Sequence, residues 1–396
     1  MMISGGDVVS SVPVWDELNP FPWYQFMRQS DPVSFASNHN NWNVFCYDDV
    51  RRVLSDYECF SSNMHQGHDP NYPISASLIS TDPPRHRQLR TLVTQAFTPR
   101  AVEELAPRIR EICEELLQKG IRDGEMDVVQ DFSYPLPVIV IAELLGIPAK
   151  DRDQFKRWSD AVVTGVHEME QDPSGELTPT NPQKEMAHYF MEMIERRKRE
   201  PSADLITGLL NASEDGQTLS TVELLGFCIL LLVAGNETTT NLITNTMLCL
   251  DEHPGTAEYL SAHMDAIPNA IEEVLRFRSP VQSMFRVAIK ETQLKGKTIL
   301  PGQSITAWIG SANHDEGHFE RAEEFDIHRT ENRHIAFGHG IHFCLGAPLA
   351  RLEAKIAMET LLTSLPHFKR KSNHPLSPIG SSIVYGVKSL PIECHA

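Results

Sequence analysis

The chain has 396 residues, of which 41% are hydrophobic and 22% are charged, a composition typical of a globular protein with a large core. Lys and Arg number 35 while Asp and Glu number 53, so the net charge is −18. That charge argues against nucleic-acid binding, which needs a basic surface. The seven cysteines are odd in number and form no CxxC pair, so no disulfide framework is predicted.

The cysteine usage is typical of a reducing cytoplasm. The N-terminus has no basic region followed by an apolar one, so we predict no signal peptide. The most apolar run, 224–234, covers about 11 residues, whereas a membrane-spanning helix needs roughly 20. Asn236 and Glu237 then interrupt the run. We therefore predict a buried core helix, no membrane span and a cytoplasmic protein.

The first predicted elements are a strand, a short helix and a long loop. Residues 42–47 follow an Asn/His turn signal and predict the strand, and the helix follows from Asp48. Residues 61–80 are rich in Pro, His, Asn and Ser and predict a loop of a length that is often functional. The next helix is predicted to begin with Asp82 as N-cap and Pro83 at its first position.

Helical patterns then continue to about residue 277, interrupted by a polar loop at 171–182. Ser220 and Glu223 form a capping-box pattern that opens a long apolar helix. If that helix runs to residue 250, it is about 45 Å long and crosses the whole molecule.

The C-terminal third changes character. Residues 281–310 predict short strands, a final helix follows Cys344, and the tail with Ile383 and Val384 is predicted as a hairpin. The fold is therefore predicted to be mainly α with a smaller β portion, as a single domain covering residues 1–396.

The strongest motif is FGHGIHFCLG at residues 337–346. Its glycines let the backbone bend and pass close to a flat cofactor. Cys344 comes just before a helical pattern, and a helix N-terminus lowers a thiol pKa and favours the thiolate. A thiolate bound to haem iron favours O–O cleavage. The alternative is a buried, inert cysteine, which we predict for the other six cysteines.

This motif resembles the haem signature F-x-x-G-x-x-x-C-x-G of the cytochrome P-450 family, and further motifs extend the resemblance over nearly the whole chain. The resemblance implies a long central helix over haem b, with Cys344 as the axial ligand of the iron. It is greatest to soluble bacterial members of a bacillus-type subgroup without a fused reductase. The implied haem contacts in the signature are Phe337, Gly338, His342 and Gly346.

A polar segment interrupts the long apolar helix at Ala234-Gly235-Asn236-Glu237-Thr238. Buried polar groups in a helix are costly unless they are satisfied or used. In the family this segment crosses the distal haem face, so Ala234 and Gly235 would leave room for dioxygen. Thr238 would hydrogen-bond the bound oxygen, and Glu237 would help relay protons. Alternatively, Thr238 bonds a backbone carbonyl and Glu237 forms a structural ion pair.

Two further motifs resemble those of the family. Glu273 and Arg276 lie three residues apart on one helix face and match its E-x-x-R pair, which Arg329 would join as a structural network. Four residues would hold the haem propionates: His86, Arg90, Arg286 and His342. For the neighbouring Arg85 and Arg87, a solvated basic face is the simpler interpretation.

Several other signals are set aside. His314 and His318 lie four residues apart, a spacing found in metal-binding helices. The positions of the acidic residues between them differ from those of the metal-binding motif H-E-x-x-H, so we favour a structural loop. No dinucleotide-binding G-x-G-x-x-G motif follows a predicted strand, and the G-x-S-x-G nucleophile motif of hydrolases does not occur. The chain is therefore not expected to bind NAD(P)H. A separate ferredoxin or flavodoxin, served by an NAD(P)H reductase, would supply electrons.

The predicted activity is hydroxylation of an apolar small molecule by dioxygen, with a fatty acid, steroid or terpenoid as substrate. Two alternatives remain: a peroxygenase driven by hydrogen peroxide, and a non-enzymatic haem sensor or carrier. Retention of Glu237 and Thr238 argues against both. Candidate substrate contacts are mostly apolar, as in ligand pockets generally. They are Leu78, Ile79, Leu231, Val281, Met284 and Ile383.

Overall fold

The long apolar helix is the central element of the fold. It spans Thr221–Glu252, and its N-terminus carries the predicted capping box. The Ser220 hydroxyl accepts a hydrogen bond from the Glu223 amide at 3.3 Å, and the Glu223 carboxylate accepts one from the Ser220 amide at 2.9 Å. The computed structural model describes residues 15–37, 40–63, 76–122, 124–159, 161 and 181–395.

Helices make up most of the described chain. They are α1 Phe21–Ser30, α2 Tyr47–Ser55, α3 Arg85–Ala96, α4 Pro99–Glu103, α5 Ala106–Gly120, α6 Pro135–Leu144, α7 Asn181–Arg199, α8 Leu205–Asn211, α9 Thr221–Glu252, α10 Thr256–Ala262, α11 Ile267–Phe277, α12 Ile309–Ala312 and α13 Ala347–Ser364. Residues 152–159 are also helical, and the chain is mainly α with a smaller β portion, as predicted.

The central helix α9 lies inside the protein. Among the described residues it is the one helix long and apolar enough to cross a membrane, judged by length and composition alone. It packs against α6, α7, α11 and α13, and every residue from Thr239 to Leu250 is buried. These contacts match the predicted core helix.

The strands form two small sheets and a hairpin. They are β1 Val33–Ala36, β2 Asn41–Val44, β3 Phe60–Ser61, β4 Glu125–Asp127, β5 Ser283–Ala288, β6 Thr292–Leu294, β7 Lys297–Ile299, β8 Ser304–Trp308, β9 His367–Arg370 and β10 Pro391–His395. The larger sheet has the order β1-β2-β8-β5-β3, the second sheet is β4-β10-β9, and β6 pairs with β7. In the larger sheet β2 runs parallel to β8, and the other pairs are antiparallel.

Two predicted elements differ from the structure. The helix expected to start at Asp82 begins at Arg85, because the Asp82 carboxylate instead accepts from the Ser62 amide at 3.1 Å and from the Ser61 hydroxyl. The predicted tail hairpin reduces to isolated bridges, including Val281 with Val384, since β10 pairs elsewhere. Residues 64–75 and 171–180 of the two predicted loops lie outside the described residues.

A buried carboxyl group lies where α13 packs on α5. Glu353 on α13 is 1% exposed, and its Oε2 atom has no hydrogen-bond partner among the described residues. Burial raises the pKa of Glu353 to about 8. Burial, and then the nearby Glu353, also raise the pKa of the Cys113 thiol on α5. Glu353 is therefore mostly protonated at neutral pH.

This carboxyl predicts a pH-dependent stability. As pH rises from the ordinary pKa of 4.5 to about 8, the unfolded chain loses a proton that folded Glu353 keeps. The free energy of unfolding should therefore fall across that window, on the order of a few kcal/mol, and Glu353→Gln should remove most of this fall. Urea midpoints at several pH values measure it. The exposed Glu115→Gln should keep the wild-type pH slope, and an unchanged slope in Glu353→Gln would contradict the prediction.

Candidate active site

The loop carrying Cys344 is shaped by two glycines and one backbone hydrogen bond. Gly338 and Gly340 have φ values of +74° and +73°, which favour glycine. A Cβ on Gly340 would lie 2.7 Å from the Ser55 Cα of α2, so a side chain does not fit there. The Cys344 amide donates to the Phe337 carbonyl at 2.9 Å, which closes the loop just before α13.

The Cys344 thiol is surrounded by groups that stabilise negative charge on sulfur. Burial raises the pKa of Cys344, but the amide N–H groups of Gly346 and Ala347, together with Arg90 and Arg351, act in the opposite direction. The two amides belong to the N-terminus of α13, where a helix favours negative charge. The arrangement therefore fits a sulfur that is charged when it binds a metal cation.

The structure brings the four predicted propionate contacts together. The ring centroids of His86 and His342 are 4.3 Å apart, and His342 Nε2 lies 2.9 Å from the Ser62 hydroxyl. Burial, followed by Arg286, His86 and Arg90, lowers the pKa of His342 to about 3. The three groups that lower it come from α3 and β5, so distant parts of the chain converge here.

Within the described residues, this basic cluster has few hydrogen-bond acceptors. Arg286 is 4% exposed, and burial lowers its pKa to about 10, opposed by Asp82. Its one hydrogen bond among the described residues goes from Nη1 to the carbonyl of Phe285 at 2.7 Å. His86 Nε2 is buried without a partner there. Since buried donors and charges need partners, a cofactor with two carboxylates, as haem has, fits the cluster.

The polar segment of α9 has two different faces. Ala234 is exposed although it lies in the middle of the helix, and the Thr238 hydroxyl donates to its carbonyl at 2.6 Å. The predicted alternative for Thr238, a bond to a backbone carbonyl, is therefore present. At Gly235, an added Cβ would lie 2.5 Å from Ile141 Cδ1 on α6, so its small size allows close helix packing.

The predicted structural network is complete and buried. Arg276 Nη2 lies 2.8 Å from Glu273 Oε1, and Arg329 Nε lies 3.1 Å from Glu273 Oε2. The guanidinium of Arg276 also donates to the backbone carbonyls of Asn313 and Ala322 at 3.0 and 2.7 Å. The pair thus ties α11 to the loop that precedes the Cys344 motif.

Sequence reasoning missed a second network beside the Cys344 loop. Arg351 on α13 binds Glu272 at 2.6 Å and lies over the Phe337 ring at 4.5 Å. Despite burial, Arg351 and then His334 lower the pKa of Glu272 to about 2. Glu272 precedes Glu273 in the sequence, but nothing in the sequence indicated its partner.

The predicted substrate contacts lie in three places. Leu78 is buried and Ile79 exposed in a short 3-10 helix before α3. Leu231 lies on α9, one turn before Ala234. Val281, Met284 and Ile383 lie near one another, because the Gln282 amide donates to the Ile383 carbonyl at 2.6 Å and Val281 pairs with Val384.

The two histidines in the loop after α12 make contacts that stabilise the fold. His314 is buried, and its Nε2 donates to the Phe277 carbonyl at 2.8 Å. His318 stacks on the Tyr47 ring with 3.4 Å between centroids. Within the described part of the chain, no group of three His, Cys, Asp or Glu residues could hold a metal ion.

Comparison with known proteins identifies the family of this chain. The family model for cytochrome P-450 matches residues 33–392. Cytochrome P-450 109 of Bacillus spizizenii is 43% identical over 381 residues, covering 96% of this chain and 92% of that protein. Cytochrome P-450(MEG) of Priestia megaterium is 37% identical, covering 96% and 95%.

Solved structures extend the similarity to the fold. CYP109E1 from Bacillus megaterium in complex with testosterone is 44% identical with a TM-score of 0.86, covering 96% of this chain and all of that one. Its substrate-free structure is 42% identical with a TM-score of 0.90 and the same coverage. The chain therefore belongs to the cytochrome P-450 family of mono-oxygenases, whose cofactor is haem b.

Proposed function

We propose that this chain hydroxylates an apolar small molecule, with Cys344 as the axial ligand of haem iron and electrons from a separate protein. The observation that carries the proposal is the pairing of two features. The Cys344 sulfur lies against the first amides of α13, and a basic cluster short of acceptors lies beside it. Together they match the two requirements of haem binding: a thiolate ligand for the iron, and hydrogen-bond donors for the propionates.

The cofactor supplies the iron chemistry that activates dioxygen. The chain supplies the groups that hold it: Arg90, Arg286, His86 and His342 for the propionates, and Phe337, Gly338 and Gly346 along the loop beside Cys344. Arg351 and Glu272 hold Phe337 in place. These contacts come from α3, β5, α11, α13 and the Cys344 loop, so segments far apart in the sequence form the site.

The Thr238 hydroxyl is proposed to position a proton donor beside α9 by accepting a hydrogen bond from it. Its hydroxyl proton points to the Ala234 carbonyl at 2.6 Å, so the lone pairs of its oxygen are free to accept a hydrogen bond. In this orientation the Thr238 oxygen accepts a hydrogen bond from a group that carries a proton, and does not donate one to it. Glu237, one residue earlier, is proposed to help relay protons to this region.

Thr238→Ala should keep haem binding but uncouple the reaction. The hydroxyl that steers protons is lost, so NADPH consumption should continue while hydrogen peroxide rises and product per NADPH falls about tenfold. Parallel assays of NADPH, peroxide and product measure this. Thr238→Ser, which keeps the hydroxyl, should recover most of the coupling, and wild-type coupling in Thr238→Ala would contradict the role.

Electrons are proposed to enter on the Cys344 side of the protein. Phe343, next to the ligand, is 42% exposed. Arg351 and Lys355 on α13 are also accessible on that helix. Since Arg351 and Lys355 each pair with a glutamate, the exposed Phe343 ring is the contact that we propose for a ferredoxin or flavodoxin on this side.

Steroids are proposed as the first substrate class, with fatty acids and terpenoids next. The Bacillus megaterium relatives in complex with testosterone and corticosterone support this order. The test is to titrate the haem-loaded protein with testosterone and with laurate while following the spin state, then to assay turnover with a surrogate ferredoxin and reductase. Hydroxylated steroid that depends on NADPH supports the proposal. Product formed with hydrogen peroxide alone, and none with NADPH, would favour the peroxygenase alternative.

A further inference from the structure

The oxygen-side segment of α9, residues 234–238, carries a polar side chain that faces away from Thr238. Asn236 is 0% exposed, and two residues along an α-helix correspond to about 200° around its axis, so Asn236 and Thr238 lie on nearly opposite sides. The Asn236 Nδ2 atom donates to the Ser159 hydroxyl at 2.8 Å. Ser159 belongs to the helical residues 152–159 and is also 0% exposed. A second helix therefore holds this segment on the side opposite Thr238.

The bond from Asn236 belongs to a buried polar network along the same side of α9. Thr240, about one turn later, donates to the Ser133 carbonyl at 3.1 Å, and its hydroxyl lies 3.5 Å from Asn236 Oδ1. The Thr244 hydroxyl, a further turn along, lies 2.7 Å from the Ser133 hydroxyl. Ser133 ends a short π-helix, Val128–Ser133, a type of turn that is frequent at functional sites. These three side chains of α9 therefore bind two other elements of the fold.

The Asn236 bond acts together with close packing at Gly235. A Cβ on Gly235 would lie 2.5 Å from Ile141 Cδ1, so the backbone of α9 lies against α6 beside Asn236. Packing sets the distance between two helices, whereas a hydrogen bond also requires a direction. A rotated α9 would leave the buried groups of both Asn236 and Ser159 unpaired, which is costly. The bond therefore favours one rotation of α9 about its axis.

This rotation matters because the Thr238 hydroxyl moves with the backbone of α9. It donates to the Ala234 carbonyl at 2.6 Å, so its position follows the helix. A rotation of about 10° moves a group at the helix surface, about 5 Å from the axis, by about 1 Å. A misplacement of that size can lower a rate by about 100-fold. We propose that Asn236 is a positioning residue, whose bond to Ser159 sets the rotation of α9 at which Thr238 accepts its hydrogen bond; the inference rests on the proposed function of Thr238.

The test removes each end of the bond in the haem-loaded protein. Asn236→Leu keeps a similar volume without the donor, and Ser159→Ala removes the acceptor from the other helix. Each should lower product per NADPH about threefold and raise hydrogen peroxide. The double variant should be no worse than either single one, because both substitutions remove the same bond.

A second readout does not depend on turnover. The infrared stretching band of carbon monoxide on the reduced iron responds to the groups that face the ligand. A rotated α9 should therefore shift this band in both Asn236→Leu and Ser159→Ala.

Asn245→Leu is the matched control on the same helix. Asn245 is also 0% exposed, and its side-chain amide donates to the backbone carbonyls of Arg278 and Tyr385, each at 3.2 Å. It lies nine residues beyond Asn236, about 13.5 Å along the helix axis. Asn245→Leu should lower the urea midpoint but keep the wild-type coupling and the wild-type carbon monoxide band.

The outcomes separate this inference from the proposed function. If Thr238→Ala uncouples the reaction while Asn236→Leu and Ser159→Ala keep wild-type coupling and an unshifted band, the inference alone fails. It also fails if Asn245→Leu has the same effect on coupling, or if the two substitutions add in the double variant. Wild-type coupling in Thr238→Ala overturns the proton role, and the inference fails with it. Ser159→Ala is the smaller change and keeps the test valid where Asn236→Leu does not fold.

Discussion

Cys344→Ala is expected to lose turnover by at least about a thousandfold, because the substitution removes the proposed sulfur ligand of the iron. The reduced protein with carbon monoxide should lose the red-shifted Soret band of thiolate ligation and show the spectrum of a neutral ligand. Haem content per chain should fall less than activity does. The basic cluster of His86, Arg90, Arg286 and His342 is unchanged by the substitution and still offers donors to the propionates.

Cys46→Ala provides the matched control. Cys46 is also partly accessible, but it precedes α2, and burial raises its pKa to about 11. Although Cys46 is the N-cap residue of α2, the carboxylates of Asp315 and Asp49 raise its pKa further, whereas two backbone amides oppose the rise at Cys344. This variant should keep both the thiolate spectrum and the activity. A Cys344→Ala protein with an intact thiolate spectrum would show that another cysteine is the ligand.

Local sequence patterns predicted the elements that depend on local interactions. The capping box of α9 involves residues three apart, and the structure shows both of its hydrogen bonds. Gly338 and Gly340 of the Cys344 loop likewise stand at positions where the backbone has a positive φ, which favours glycine. In both cases the physical cause lies within a few residues, so a single sequence contains the information.

Contacts between distant segments could not be predicted in the same way. Asp82 was expected to cap α3 because nothing showed that Ser62, twenty residues earlier, would bind its carboxylate. Arg351 meets Glu272 across 79 positions, and either residue alone looks like part of a solvated helix face.

Arg276→Met is expected to lower the free energy of unfolding by about 3–5 kcal/mol, because it leaves a buried carboxylate without its main partner. Both side chains of the Glu273–Arg276 pair are 0% exposed. Three backbone carbonyls, of Asn313, Ala322 and Glu324, also lose a donor. Since whole domains are stable by only about 5–15 kcal/mol, most of the protein should be insoluble or free of haem. Soluble yield, haem content and urea midpoints measure this.

Two further variants separate a structural role from a chemical one. Arg321→Met removes an exposed arginine that pairs with Glu324 and Asp326, and it should leave the urea midpoint close to that of the wild type, because solvent screens these pairs. Arg276→Lys keeps the charge but not the planar donors that reach Glu273 and three carbonyls, so it should be nearly as unstable as Arg276→Met. A folded, haem-loaded Arg276→Met protein that has lost only activity would place Arg276 in the reaction. Because its side-chain hydrogen bonds in the described part of the chain all go to Glu273 and to backbone carbonyls of residues 313–324, we expect instability to precede any loss of catalysis.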